Sequence, residues 1–129
     1  MLITSIYGGL LGLWFLVLSV RVIKGRGRGI SIGDGGDAQM LRLMRGHANF
    51  AEYTPMILVL IAMAEYQGMA SIWIHAWAAC LLIGRVLHGY TFCFHDNFPP
   101  GRVGGTVLTF IALLGASLSL LWMAIQRSA

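Results

Sequence analysis

Long apolar stretches constrain this chain more than any other feature of its sequence. Four of them occur, at residues of roughly 2–23, 46–66, 70–93 and 104–125. Each is long enough to cross the hydrocarbon core of a bilayer, about 30 Å thick, as an α-helix. Because a spanning segment must satisfy its own backbone hydrogen bonds, helices are expected. The sequence therefore predicts an all-α integral membrane four-helix bundle that forms a single domain over residues 1–129.

The composition excludes a water-soluble domain. Hydrophobic residues make up 57% of the chain and charged residues only 11%, whereas a soluble domain carries about 25% charged residues. The first apolar stretch lacks the basic start and small-residue cleavage site of a signal peptide, so we expect a permanent span.

Basic residues predict the orientation in the membrane. The connection after the second stretch, around Gln67 and Gly68, carries none, and the third connection carries Arg102. Basic residues concentrate on the cytoplasmic side, so both termini should be extracytoplasmic. This charge suits anionic lipid headgroups, and no nucleic-acid partner is expected. Six of the nine basic residues flank the first connection: Arg21, Lys24, Arg26, Arg28, Arg42 and Arg45.

A polar stripe enters the second apolar stretch. Arg42, Arg45, Asn49, Glu52 and Tyr53 would fall within a sector of roughly 100° on a helix that advances 100° per residue. Such side chains are costly in a membrane unless they have partners. We therefore expect the stripe to face the bundle or a neighbouring subunit.

Two interpretations of these polar residues remain open. In the first, they form an internal network in which Arg45 pairs with Glu52 and Arg85 bonds a backbone carbonyl. In the second, the guanidiniums outnumber the nearby carboxylate, and buried excess charge is costly, so an anionic ligand is missing. A ligand with two carboxylates and one ammonium would complete the set. His88, one helical turn after Arg85, would line the same site.

Two other functions are less well supported. A small four-span exporter would carry its ionisable residue near the membrane midplane. Glu52 should instead lie within about 10–15 Å of the cytoplasmic end of its span. A metal site is not expected, because His88 and His95 lack a third ligand.

Prolines mark two interruptions. Pro55 removes a backbone donor and should bend the second span. The run Asn97-Phe98-Pro99-Pro100-Gly101 predicts a rigid turn, with the fourth helix starting at or just after Arg102.

The polar motif resembles that of a known family. The pattern Arg42-x-x-Arg45-x-His47-x-Asn49-x-x-Glu52-Tyr53-x-Pro55, followed by an apolar span and Gly84-Arg85-x-x-His88, is similar to that of the MAPEG family. These are membrane-associated proteins of eicosanoid and glutathione metabolism. The loop Gly33-Asp34-Gly35-Gly36 looks most like the small bacterial inner-membrane branch.

The resemblance implies a homotrimer that binds glutathione between neighbouring subunits near the cytoplasmic face, and a lipophilic small-molecule substrate. Arg21 or Lys24, at the end of the first span, would contribute a further basic group. The site residues carried over by motif position are Arg42, Arg45, Asn49, Glu52, Tyr53, Arg85 and His88.

Two departures from the family pattern bear on catalysis. Eicosanoid-making members carry a tyrosine seven residues after the third-span arginine, where this chain has Phe92. The thiolate-activating arginine of the family matches only Arg102, and only across a short gap. The resemblance thus implies either a glutathione transferase or peroxidase with Arg102 as its catalytic residue, or a non-catalytic protein that binds glutathione or lipid.

Overall fold

The computed structural model describes residues 1–95 and 98–128. The chain forms four α-helices, which are α1 (Leu2–Arg26), α2 (Ala38–Tyr66), α3 (Ser71–Phe94) and α4 (Pro99–Ser128). The predicted all-α architecture is confirmed. Within the described ranges, three helices are long and apolar enough to cross a membrane, namely α1, α3 and α4. Helix α2 is of similar length, but the polar stripe in its first half lowers its mean hydropathy.

The helices run alternately up and down. At one end of the bundle the Glu65 carboxylate accepts hydrogen bonds from the backbone N–H groups of Ile3 (2.9 Å) and Thr4 (2.8 Å). At the same end Arg127 donates to the carbonyl of Gln67. Both termini and the α2–α3 turn therefore lie together, and the α1–α2 and α3–α4 connections lie at the opposite end.

The two central helices are α2 and α3, which both contact α1 and α4. Helices α1 and α4 do not contact each other in the described part of the chain. The core between the helices is apolar and fully buried at Leu18, Ile57, Ile61 and Leu81. Large apolar side chains are also exposed along the outer faces of the helices, as expected where lipid replaces water.

Helix α2 begins with a side-chain cap. The Asp37 carboxylate accepts hydrogen bonds from the backbone N–H groups of Gln39 (2.7 Å) and Met40 (3.0 Å). The bond from Met40 is the main cause that lowers the pKa of Asp37 from its ordinary value. Pro55 lies within α2, which continues through it to Tyr66.

The prediction for the start of the fourth helix is wrong by one turn. Helix α4 begins at Pro99, and the N–H groups of Gly101 (3.1 Å) and Arg102 (3.4 Å) already bond the carbonyl of Phe98. Proline fits the first helical turn, because the N–H that it lacks has no intrahelical partner there. The predicted turn also included Asn97, which lies outside the described residues.

Helices α3 and α4 pack backbone to backbone. A Cβ atom added to Gly105 would lie 2.7 Å from the carbonyl oxygen of Gly84 and 2.8 Å from the backbone nitrogen of His88. Neither glycine can therefore carry a side chain without moving the helices apart. This contact sets the position of α4 relative to the polar residues of α3.

Candidate functional site

A buried arginine lies at the centre of the polar residues. Arg85 on α3 is only 2% exposed. Its Nη1 donates to the side-chain Oδ1 of Asn49 at 2.7 Å and to the Asn49 backbone carbonyl at 3.4 Å. The guanidinium also lies over the Tyr53 ring, 5.7 Å from its centroid. Asn49 and Tyr53 come from α2, so Arg85 connects the two central helices.

Every group that contacts the Arg85 guanidinium in the described structure is formally neutral. They are an amide oxygen, a backbone carbonyl and an aromatic ring. The buried Nε of Arg85 has no hydrogen-bond partner among the residues described. An arginine with this much burial normally has a charged or fully hydrogen-bonded partner. The described contacts therefore give Arg85 no carboxylate partner.

A small cavity opens beside this arginine, with a volume of about 30 Å³. Such a volume holds on the order of one or two water molecules and is far too small for a peptide. Asn49, Tyr53 and Arg85 form one side of the cavity, and residues of α4 form the other. Those α4 residues are Thr106, Thr109 and Phe110.

The sequence did not predict that residues of α4 line this cavity. Thr106 and Thr109 each bond a carbonyl one turn earlier, Arg102 (3.0 Å) and Gly105 (2.7 Å). These bonds satisfy the hydroxyl groups within their own helix. Two threonines at helical spacing after a glycine pair were the available signal, but such residues are equally common in helix packing.

Two predicted residues, Arg45 and Glu52, lie on the open face of α2. Both are exposed, as is Met56 one turn further along. The ion pair between Arg45 and Glu52, which belongs to the first of the two interpretations, is not formed. The described residues contain two ion pairs, one between Glu65 and the amino group of Met1 and one between Arg28 and Asp37. The stripe therefore divides, with one edge in the bundle and the other on its surface.

His88 and Arg102 are brought together through Phe92. The His88 ring stacks on the Phe92 ring with a centroid distance of 4.7 Å. The Arg102 guanidinium lies over Phe92, 5.5 Å from the ring centroid. His88 is buried and Arg102 is exposed. Neither is among the described residues that line the cavity beside Arg85.

Arg42 lies elsewhere, with Arg21. Both line a separate cavity of about 160 Å³ between the start of α2 and the ends of α1 and α3. Arg21 donates to the carbonyl of Cys93 from Nε (3.1 Å) and Nη2 (2.6 Å). It therefore caps the last turn of α3. The seven residues predicted to bind glutathione thus occupy four adjacent positions at one end of the bundle.

His47 belongs to the packing of the bundle. Its ring stacks on Phe15 with a centroid distance of 4.6 Å, and its Nε2 lies 3.1 Å from the Ser19 hydroxyl. Both partners are on α1. On a helix that advances 100° per residue, His47 lies nearly opposite the polar stripe of α2, in agreement with these contacts.

Comparisons with known proteins agree with the family resemblance that the motif indicates. The model of the MAPEG family matches residues 4–122. The chain is 31% identical to Inner membrane protein YecN of Escherichia coli strain K12 over 122 residues, covering 94% of this chain and 92% of the relative. The protein of the same name from E. coli O6:H1 strain CFT073 gives the same identity and coverage. No solved structure gives a significant match.

Proposed function

Because this chain belongs to the MAPEG family, we propose that it is a glutathione-dependent membrane enzyme. It would be of the transferase or peroxidase type and act on lipophilic electrophiles that reach it through the bilayer. The observation that carries the proposal is Arg85, a buried guanidinium paired with neutral groups beside a small cavity. That arrangement suits a carboxylate ligand.

The neighbouring charges match the rest of glutathione. The tripeptide has two carboxylates and one ammonium group. Arg85 and Arg45 provide two guanidiniums, and Glu52 provides a carboxylate for the ammonium. Asn49 holds Arg85 in place, and Tyr53 offers a phenol on the same side of α2. His88, Arg42 and Arg21, the basic residue of α1 that lines the cavity with Arg42, would form the surrounding wall.

A homotrimer would complete this site. The cavity beside Arg85 is too small for a tripeptide, and Arg45 and Glu52 are exposed on a helix face that would otherwise meet lipid. Charged side chains are costly there. A neighbouring copy packed against α2 would cover them and supply the missing wall, with glutathione between the two subunits.

The chemistry requires a thiolate. A free thiol is mostly protonated at neutral pH, and the thiolate is the nucleophile. Arg102 lies in the first turn of α4, and both its guanidinium and the N-terminal end of that helix would stabilise the anion. In the transferase reaction, the sulfur forms a bond to an electrophilic carbon, and the leaving group departs with the bonding electron pair.

Glutathione binding is tested by removing one charge at a time. Arg45→Ala should weaken binding by about 1.5–3 kcal/mol, the scale of a hydrogen bond to a charged group. Glu52→Gln should have a similar effect, because it removes the charge opposite the ammonium. Arg127→Ala, at the other end of the bundle, is the control. If both site variants bind glutathione as tightly as the parent, the stripe is structural, and Arg45 and Glu52 do not hold glutathione.

Turnover is tested separately with Arg102→Ala. Glutathione affinity should change little, whereas the pKa of the bound thiol should rise by about one unit or more, since each unit is about 1.4 kcal/mol of thiolate stabilisation. Ultraviolet titration of the bound thiolate measures this directly. An unchanged pKa would leave Arg102 as a membrane-surface residue.

One observation favours the second candidate function, a non-catalytic protein that binds glutathione or lipid. Phe92 stacks between His88 and Arg102 and has no hydroxyl group to donate to a sulfur or an oxygen. Retained glutathione affinity without thiolate formation would support this alternative.

We also propose a cellular location and a membrane orientation for the protein. The relative is named as an inner membrane protein, and we place this chain in the bacterial inner membrane. The basic α1–α2 connection would be cytoplasmic and both termini extracytoplasmic.

A further inference from the structure

A third cavity lies on the α1 side of the bundle. It has a volume of about 170 Å³ and opens at the end where α1 connects to α2. Its lining includes three basic side chains, Arg21, Lys24 and Arg28, together with Gln39 and Leu43 of α2. This cavity shares no described lining residue with the one beside Arg85. It adjoins the cavity lined by Arg42, with which it shares Arg21, Gln39 and Leu43, whereas Lys24 and Arg28 line this cavity alone.

Counted over the described residues, the charge of this cavity is positive by about two units. Arg21 donates hydrogen bonds to the Cys93 carbonyl and lies over the Phe94 ring, 4.5 Å from its centroid, and the described residues give it no ion pair. Lys24 is exposed, and no hydrogen bond or ion pair to it is found among the described residues. Arg28 pairs with Asp37 at 3.3 Å. Asp37 carries a single negative charge, which offsets one of the three positive charges and leaves two.

An apolar strip of α1 leads into this cavity. Leu13, Val17 and Val20 are 65%, 40% and 40% exposed and are followed by Lys24. The spacing of four, three and four residues places all four side chains on one face of the helix. In a membrane this face would contact acyl chains, with the Lys24 ammonium at the headgroup level.

We propose that this cavity binds the phosphate of an anionic membrane lipid whose acyl chains lie along Leu13, Val17 and Val20. Basic pockets between spanning helices recognise such headgroups, and guanidinium and ammonium groups both bind phosphate oxygens. The strip gives the ligand an apolar part that free phosphate lacks. A zwitterionic lipid would bring a cation toward Lys24 and is disfavoured.

Native mass spectrometry of the full-length protein in non-ionic detergent tests the proposal. The protein is titrated with phosphatidylglycerol and with phosphatidylcholine of identical acyl chains. The parent should prefer phosphatidylglycerol. Lys24→Gln should bind it about fivefold more weakly, the effect of one basic residue near an anionic headgroup, and Lys24→Arg should restore most of the affinity.

The matched control is Arg26→Gln. Arg26 is at the same end of α1 and donates to the Ser31 carbonyl at 3.1 Å, but it does not line the cavity. Its loss should leave phosphatidylglycerol binding unchanged. An equal loss in both variants would mean diffuse attraction by net charge and would overturn the proposal, as would equal affinity for the two lipids.

Competition by two soluble compounds, glycerol phosphate and glutathione, tests whether the cavity binds a lipid phosphate or another anion. Glycerol phosphate should not displace the lipid at millimolar concentration, because it lacks acyl chains. Displacement at an affinity equal to that of the lipid would make the site one for soluble phosphates. Glutathione should also leave the lipid bound. If it competes, and if Lys24→Gln weakens glutathione binding equally, the cavity belongs to the thiol site and the lipid proposal fails.

Discussion

Asn49 offers the sharpest test of how Arg85 is held. Its Oδ1 accepts a 2.7 Å hydrogen bond from Nη1 of a guanidinium that is 2% exposed. Asn49→Ala removes this acceptor and leaves the buried cation with weaker contacts. A hydrogen bond to a charged group is worth about 1.5–3 kcal/mol, so we expect the free energy of unfolding to fall by that amount.

Asn49→Asp separates stability from ligand binding. It replaces a neutral acceptor with a carboxylate of nearly the same shape at hydrogen-bond distance from Arg85. Because the cation is already desolvated, this ion pair should stabilise the unliganded protein, by on the order of 1 kcal/mol. The same carboxylate competes with an anionic ligand, so glutathione should bind at least tenfold more weakly.

Thermal unfolding in detergent and calorimetric titration with glutathione measure the two effects. Gln67→Ala is the matched control, because its side-chain oxygen also accepts from an arginine, Arg127, but at an exposed position. That change should stay within about 0.5 kcal/mol. The reasoning is refuted if Asn49→Ala unfolds like the parent, or if Asn49→Asp binds glutathione with unchanged affinity.

Three further predictions follow from the packing and the topology. Gly105→Ala should lower the free energy of unfolding by about 1–3 kcal/mol, because the added Cβ would lie 2.7 Å from the Gly84 carbonyl oxygen. Gly104→Ala is the control in the same thermal assay and should be neutral, because its added Cβ meets nothing within 4 Å. Glu65→Ala should cost about 0.5–2 kcal/mol, since the N–H groups at the start of α1 lose their acceptor; unfolding in denaturant measures this, and an unchanged midpoint would contradict it. A reporter enzyme active only in the cytoplasm should be inactive at either terminus and active in the α1–α2 connection; activity at a terminus would reverse the proposed orientation.

The helices were predictable because α1, α3 and α4 are long and apolar, and because the second half of α2 is apolar as well. The predicted third span, residues 70–93, differs from the observed helix Ser71–Phe94 by one residue at each end. The start of α4 was less predictable, because Pro99-Pro100-Gly101 fits both a turn and a first helical turn. Only the bonds to the Phe98 carbonyl distinguish the two.

The site was predicted as one stripe, but the structure divides it. Arg42, Asn49 and Tyr53 turn into the bundle to different neighbours, while Arg45 and Glu52 stay on the surface. A sector of roughly 100° on α2 is wide enough to meet more than one neighbouring helix as well as the open face. Periodicity along one helix cannot show where the next helix lies.

Some contacts had no sequence signal that separates them from ordinary packing. The bond from Arg21 to the Cys93 carbonyl and those from α1 to Glu65 join residues more than 60 positions apart. Each satisfies a helix terminus, where unpaired N–H or carbonyl groups require a partner. Which side chain reaches them depends on how the helices are arranged.

The helices, the polar motif and the family could be predicted without coordinates, because all three depend on the order of side chains along the chain. Which polar residues meet follows only from the packing of the helices. That packing placed Arg85 against Asn49 and Tyr53, set α4 behind them through the contact of Gly84 with Gly105, and left Arg45 and Glu52 exposed. The physical reason is that burial and charge pairing depend on distances between helices, and those distances follow from packing all four together.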